Sequence, residues 1–309
     1  MNRAEICNWI LQDSDPAIRW QVMRDLAGAD PEKFESERGR IATGGWGKQL
    51  LELQDHTGLW GGGLYSPKWI STTYTLLLLQ WFGLPAHNEQ ALKGCAQLWS
   101  GATFYDHGLT FAKTVPTAET CMTAMVVSTT AFFGHHEDRL DRTVQWLLSQ
   151  QLDDGGWNCE TLRNGSLHGS FHTSITVLES LLAYRNFTET TDVNDAIGRG
   201  CEFFLAHRLF KSHRTGEVVN PAFARFPFPP QWHFDVLRGL EFFRFSGAEC
   251  DERLDDAVAV LVKSRGRDGR WPYHRPYPGR RWFALESAGP SKWSTLRCLR
   301  VLDWWDATF

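Results

Sequence analysis

No apolar run in this 309-residue sequence approaches the roughly 18–20 residues that a membrane-spanning helix requires. The opening stretch, MNRAEICNWILQDSDPAIRW, lacks the apolar core of a secretion signal. Seven cysteines are scattered singly (Cys7, Cys95, Cys121, Cys159, Cys201, Cys250 and Cys298), so no short-spaced pair marks a zinc ribbon or a disulfide framework. These absences predict a chain with no transmembrane segment, held in the reducing cytoplasm. Charge of one sign is scarce as well. A net charge of −4 gives no global field for nucleic acid. The one local exception, residues 263–281, sets seven Lys/Arg against one Asp. That cluster reads either as a solvated loop or as a seat for an anionic ligand group. No strand pattern exceeds a hairpin turn, so the fold class is all-α.

Aromatic residues are abundant, with 15 Trp and 20 Phe. Their placement reveals a repeat. Three segments share one spacing: Gln54, Gly58 and Trp60; Gln151, Gly155 and Trp157; Arg265, Gly269 and Trp271. The spacing suits a helix end, where a long polar side chain closes the helix. Gly takes the left-handed position past its C-terminus and Trp covers the joint. A helix-period segment precedes each turn (46–53, 140–150 and 254–264), and a more apolar one follows (71–82, 171–184 and 292–305). Two degenerate copies pair 88–99 with 117–133 and 193–206 with 231–245. A shorter sixth hairpin pairs 5–11 with 16–27, with Asp15 as cap and Pro16 at the first helical position. Six such hairpins predict a ring, with apolar helices as the inner wall and amphipathic ones as the outer. The length is above a usual single core, but repeats that pack on their neighbours escape that limit, so 1–309 reads as one domain. The loops 106–116, 211–230 and 273–290 are long enough to carry function.

The stretch 142–157, RTVQWLLSQQLDDGGW, resembles the QW repeat of squalene–hopene and oxidosqualene cyclases. The resemblance places the chain near the terpenoid cyclase and protein prenyltransferase superfamily. It implies an α6–α6 toroid with a central apolar cavity for an isoprenoid chain. The Asp-x-Asp-Asp acid motif of squalene cyclases has no counterpart on an inner helix. Asp192, Asp195, Asp251, Asp255 and Asp256 fall at the starts of outer helices, where acidic residues offset the helix dipole.

Prenyltransferase β-subunits hold a catalytic zinc with Asp-x-Cys and His-Thr at the starts of successive inner helices. Glu119, Cys121 and His172 match that pattern here, with Glu in place of Asp. The resemblance thus implies a rim zinc site of thiolate, imidazole and carboxylate with one open position, with His168 and Cys159 nearby as substitutes. The plainer alternative makes Cys121 a small buried hydrophobe and His172 a hydrogen-bonded rim residue. His233 and Asp235 are candidate catalytic acid and base, or head-group ligands; Asp235 also suits an ordinary helix start. Trp69, Tyr74, Phe171, Trp232, Phe234 and Trp293 recur near inner-helix starts, as a cation-stabilising lining or as core. Arg265, Arg267, Arg280 and Arg281 are candidates for a phosphate group.

Three functions follow. The first is an isoprenoid- or lipid-handling protein, prenyltransferase-like or terpene cyclase-like, whose partner is an apolar small molecule such as a prenyl diphosphate. The second is a non-catalytic binding module for a hydrophobic ligand or a protein. The third is a carbohydrate-active toroid, which needs two carboxylates facing across a pocket, with Asp154, Glu160 and Asp235 as candidates.

Overall fold

The protein is described by a computed structural model covering residues 1–306. It is predominantly α-helical. Among the described residues the only strands are β1 (Thr103–Tyr105) and β2 (Gly108–Thr110), an antiparallel hairpin pairing Thr103 with Thr110. The helices are α1 (Arg3–Leu11), α2 (Pro16–Asp25), α3 (Pro31–Gly39), α4 (Gly45–Glu52), α5 (Thr72–Phe82), α6 (Glu89–Gly101) and α7 (Thr120–Phe133). They continue with α8 (Leu140–Ser149), α9 (Thr161–Asn164), α10 (Phe171–Thr188), α11 (Asn194–Ala206), α12 (Val236–Ser246), α13 (Asp255–Ser264) and α14 (Lys292–Asp306). No helix among the described residues is long and apolar enough to cross a membrane.

Helix boundaries follow local chemistry. Asp15 caps α2 by accepting from Ala17 N at 2.9 Å, and its second oxygen accepts from Trp46 N at 2.6 Å, tying α4 to the start of α2. The segment 231–245 turns helical only at Val236, because Asp235 is the N-cap and accepts from Arg238 N. The apolar periods of the sequence give no sign of α3, whose sequence PEKFESERG has none to detect; it lies on α2.

Packing places the more buried helices in succession: α5 on α7, α7 on α10, α10 on α12, α12 on α14, and α14 on α2. Trp20 Nε1 donates to Phe82 O at 2.7 Å and Gln21 Nε2 to Trp81 O at 3.1 Å, so α2 meets the end of α5 and the succession returns to its start. The other long helices lie against this set, α4 on α2 and α5, α6 on α5 and α7, α8 on α7, α11 on α10, and α13 on α12.

The three spaced turns bond alike. Gln54 Nε2 donates to Gly58 O (3.0 Å) and Gln90 O (2.8 Å), and Gln151 Nε2 donates to Gly155 O (2.8 Å) and Ala196 O (2.9 Å). Arg265 Nε donates to Gly269 O at 3.0 Å. The indoles of Trp60, Trp157 and Trp271 donate to Leu50 O, Leu147 O and Leu261 O, ten residues upstream in each case. Gly58, Gly155 and Gly269 have φ of 98°, 85° and 87°. They sit in the β-turn after each helix rather than as its C-cap, so the polar residue braces that turn instead of closing the helix.

Candidate functional site

A cavity of about 420 Å³ opens between the C-terminal halves of the buried helices. Its wall takes Trp20, Gln21 and Arg24 from α2, Gln80 and Trp81 from α5, and Phe132 from α7. α10 adds Glu179, Leu182 and Ala183; α12 adds Arg238, Glu241, Phe242 and Phe245; α14 adds Arg297 and Arg300. The implied apolar interior is therefore corrected. The aromatic rings are present, but charged side chains stand among them.

The charges are ordered. Glu241 accepts from Arg297 Nε and Arg300 Nε, both at 2.8 Å, and two guanidinium Nη2 groups complete the bridge. Arg300 Nη1 also donates to Gln21 Oε1 at 2.7 Å. Arg238 is bidentate to Glu179 at 2.8 and 2.6 Å and donates to His233 O at 2.8 Å. Burial alone would raise the Glu241 carboxyl, but Arg297 and Arg300 together hold it below the usual range.

At the opposite, N-terminal ends of these helices the interior is plugged. Loop 273–290 folds inward, and Tyr277 stacks on His233 at 3.5 Å, with Trp232 on the other face at 3.8 Å. Trp69 donates to Pro278 O at 2.6 Å and meets Tyr74 edge-on at 4.8 Å. Beneath the loop only about 50 Å³ remains, lined by Trp69, Gln231, Tyr277, Arg281 and Trp282 among others. Phe228 borders both cavities.

The sequence-predicted residues divide accordingly. Trp69, Tyr74, Trp232 and His233 come together in the plug, and Arg281 borders its small pocket. Phe171 does not join them; it lies in a phenylalanine cluster with Phe203, Phe204, Phe223 and Phe234. Arg265 braces its turn and covers Trp271, with its guanidinium 5.3 Å from the ring centre. Asp154, Glu160 and Asp235 border neither cavity, so the three carboxylates proposed for a carbohydrate site do not face across one. Asp154 instead accepts from Gly156 N and Gly169 N.

His233 and Asp235 share no hydrogen bond. His233 Nδ1 has no partner among the described residues, and burial, aided by His172, lowers the ring to about 4, so it is neutral near pH 7. Asp235 is fully buried; Oδ1 accepts from Arg238 N at 2.8 Å and Oδ2 has no partner among the described residues. Burial pushes its carboxyl up to about 6 against the opposing pull of Arg297.

The zinc set does not fit. Among the described residues no three His, Cys, Asp or Glu side chains stand close enough to hold an ion. Glu119 is paired with Arg163 and accepts from Thr110 Oγ1 at 2.6 Å. His172 Nδ1 accepts from Phe234 N at 2.8 Å, and burial, then Arg238, lowers the ring to about 4. Cys121 and Cys159 face each other: their mutual hydrogen bond, with burial, raises the Cys121 thiol, and the same bond lowers that of Cys159.

No family model matches the chain. No curated protein matches it either. Solved structures that resemble it include a protein from Actinoplanes (15% identity over 98% of this chain and 99% of that one, TM-score 0.49). Others are the type II terpene cyclase MstE from Scytonema without ligand (17%, 96% and 89%, TM-score 0.47) and an MstE variant with geranylgeranyl dihydroxybenzoate (17%, 95% and 87%, TM-score 0.48).

Proposed function

We propose that the chain is a single α6–α6 toroid of six hairpins that binds an apolar, isoprenoid-like small molecule in a terpene cyclase-like manner. The observation that carries this is the 420 Å³ cavity enclosed by the returning helix succession and walled by Trp20, Trp81, Phe132, Phe228, Phe242 and Phe245. Its volume lies within the range of small-molecule sites, and its rings supply the apolar contact such a ligand needs. Ala183 provides the test, because a large ring there fills the cavity from α10. Farnesol or geranylgeraniol is expected to raise the melting temperature of the parent and leave Ala183→Trp unmoved. A parent indifferent to both alcohols would remove the reading.

The proposal is one of binding. Asp235 borders neither cavity, so its buried carboxyl is given no proton-transfer role toward a ligand there, and zinc has no part in it.

A further inference from the structure

We infer that the arginine-rich wall of the central cavity is an oxyanion site, so the ligand of the proposed function carries a carboxylate or phosphate on its apolar body. Five arginines line this cavity (Arg24, Arg38, Arg238, Arg297 and Arg300) against two carboxylates, Glu179 and Glu241. Partners behind the wall do not restore balance. Asp25 serves Arg24, Arg244 and Arg300, and Glu35 pairs with Arg38 on the outside. With Asp235, whose buried carboxyl acts on Arg297 and Arg238, six guanidinium groups meet five carboxylates, in a protein whose overall charge is −4. Unbalanced positive charge on buried side chains such as Arg238, Arg297 and Arg300 is costly unless an anion offsets it.

The second observation is at one atom. Arg297 is 3% exposed, and its Nε and Nη2 are committed to Glu241. Its Nη1 has no hydrogen-bond partner among the described residues. A buried guanidinium donor without a partner is rare, and an oxyanion is the complementary acceptor. The rings of Phe228, 5.7 Å from the Arg297 guanidinium, and of Phe242 and Phe245 continue the wall, so an apolar body attached to that oxyanion has surface to lie on.

The inference rests on the cavity being a ligand site, and the test separates the two. Calorimetric titration would compare farnesol, farnesoic acid and farnesyl phosphate, which share one apolar body and differ in the head group. At least one of the two anions is expected to bind about tenfold or more tightly than the alcohol. In Arg297→Gln that advantage is expected to disappear while farnesol affinity holds. Should the variant fail to fold, raising salt from about 0.05 to about 0.5 M in the parent must erode the anion advantage and spare farnesol. The acid binding alone assigns a carboxylate; the phosphate binding alone assigns a phosphate. Equal affinity for all three would overturn the oxyanion site and leave the apolar cavity standing. Absence of binding by all three would overturn both.

Discussion

Gly94 leaves the space that Trp60 fills: a Cβ at Gly94 would lie 2.7 Å from Cζ3 of Trp60. Gly200 stands in the same relation to Trp157, at 2.9 Å. Each tryptophan therefore reaches from its own turn to the next outer helix, α6 or α11. The neighbouring glutamine makes the same crossing, to Gln90 O and Ala196 O.

Overpacking at these two contacts is the first expectation. Gly94→Ala and Gly200→Ala each gain helix propensity of roughly 1 kcal/mol yet push a methyl into a rigid indole, which costs about 1–3 kcal/mol. The net is expected to be destabilising. Urea midpoints that rise in both variants would contradict it.

The paired hydrogen bonds of Gln151 give a second. Gln151→Ala removes both donations, to Gly155 O and Ala196 O, and is expected to cost about 1–3 kcal/mol. Gln151→Arg is expected to recover part of this, since Arg265 holds the equivalent turn through Nε. Denaturant unfolding of the two variants beside the parent decides it.

The buried bridge gives a third. Glu241→Gln strips the negative charge that faces Arg297 and Arg300 and is expected to destabilise by about 3–5 kcal/mol. Because its folded pKa is depressed, Glu241 contributes stability above the ordinary carboxylate range, and that contribution is lost as pH falls through the folded value. The gap between parent and variant is therefore expected to narrow on acidification, read from unfolding midpoints at successive pH values.

Asp235 has the opposite sign. Its folded carboxyl keeps its proton up to about 6, while the unfolded chain releases it near the ordinary value of 3.8. Stability is lost as pH rises through that window and changes no further above it. Asp235→Asn keeps a capping oxygen for Arg238 N and carries no charge. The variant is expected to gain on the parent between those pH values, and a constant difference across the window would refute the assignment.

His172 is depressed rather than raised. The unfolded chain takes up a proton near 6.5 while the folded ring resists to about 4, so stability is lost as pH falls between them. His172→Gln retains an acceptor for Phe234 N and is expected to show a shallower acid decline, measured by thermal unfolding at pH 7 and pH 4.5 on the order set by these values.

The helix plan was legible because burial wrote it twice, once as apolar runs in α5, α7 and α10 and once as the Gln/Arg–Gly–Trp spacing. Arg265 was legible as a turn residue, yet its charge also made it a phosphate candidate; only the bond to Gly269 O decides between them. The cavity chemistry was present as Arg238, Glu241 and Arg244 on α12 and Arg297 and Arg300 on α14, each at helical spacing. Such a stripe reads like a solvated face, and nothing local says that it turns inward. The position of Tyr277 is hidden in the sequence for a different reason. A loop without periodicity gives no sign of where it folds back, and its stacking on His233 is purely tertiary. The zinc set failed on neighbours far away in sequence: Arg163 for Glu119, and Phe234 for His172.

The meeting of α14 with α2, reinforced by Arg3 with Asp303 and by Lys292 Nζ with Ser14 Oγ, has a consequence for how the molecule comes apart. A linear stack of hairpins frays from whichever end is weaker, one unit at a time. The ring proposed above would have no such end, and loosening any one hairpin would withdraw support from the neighbours on both sides. Slow amide hydrogens in α2 and α10, three steps apart either way round the succession, are expected to exchange at one shared rate.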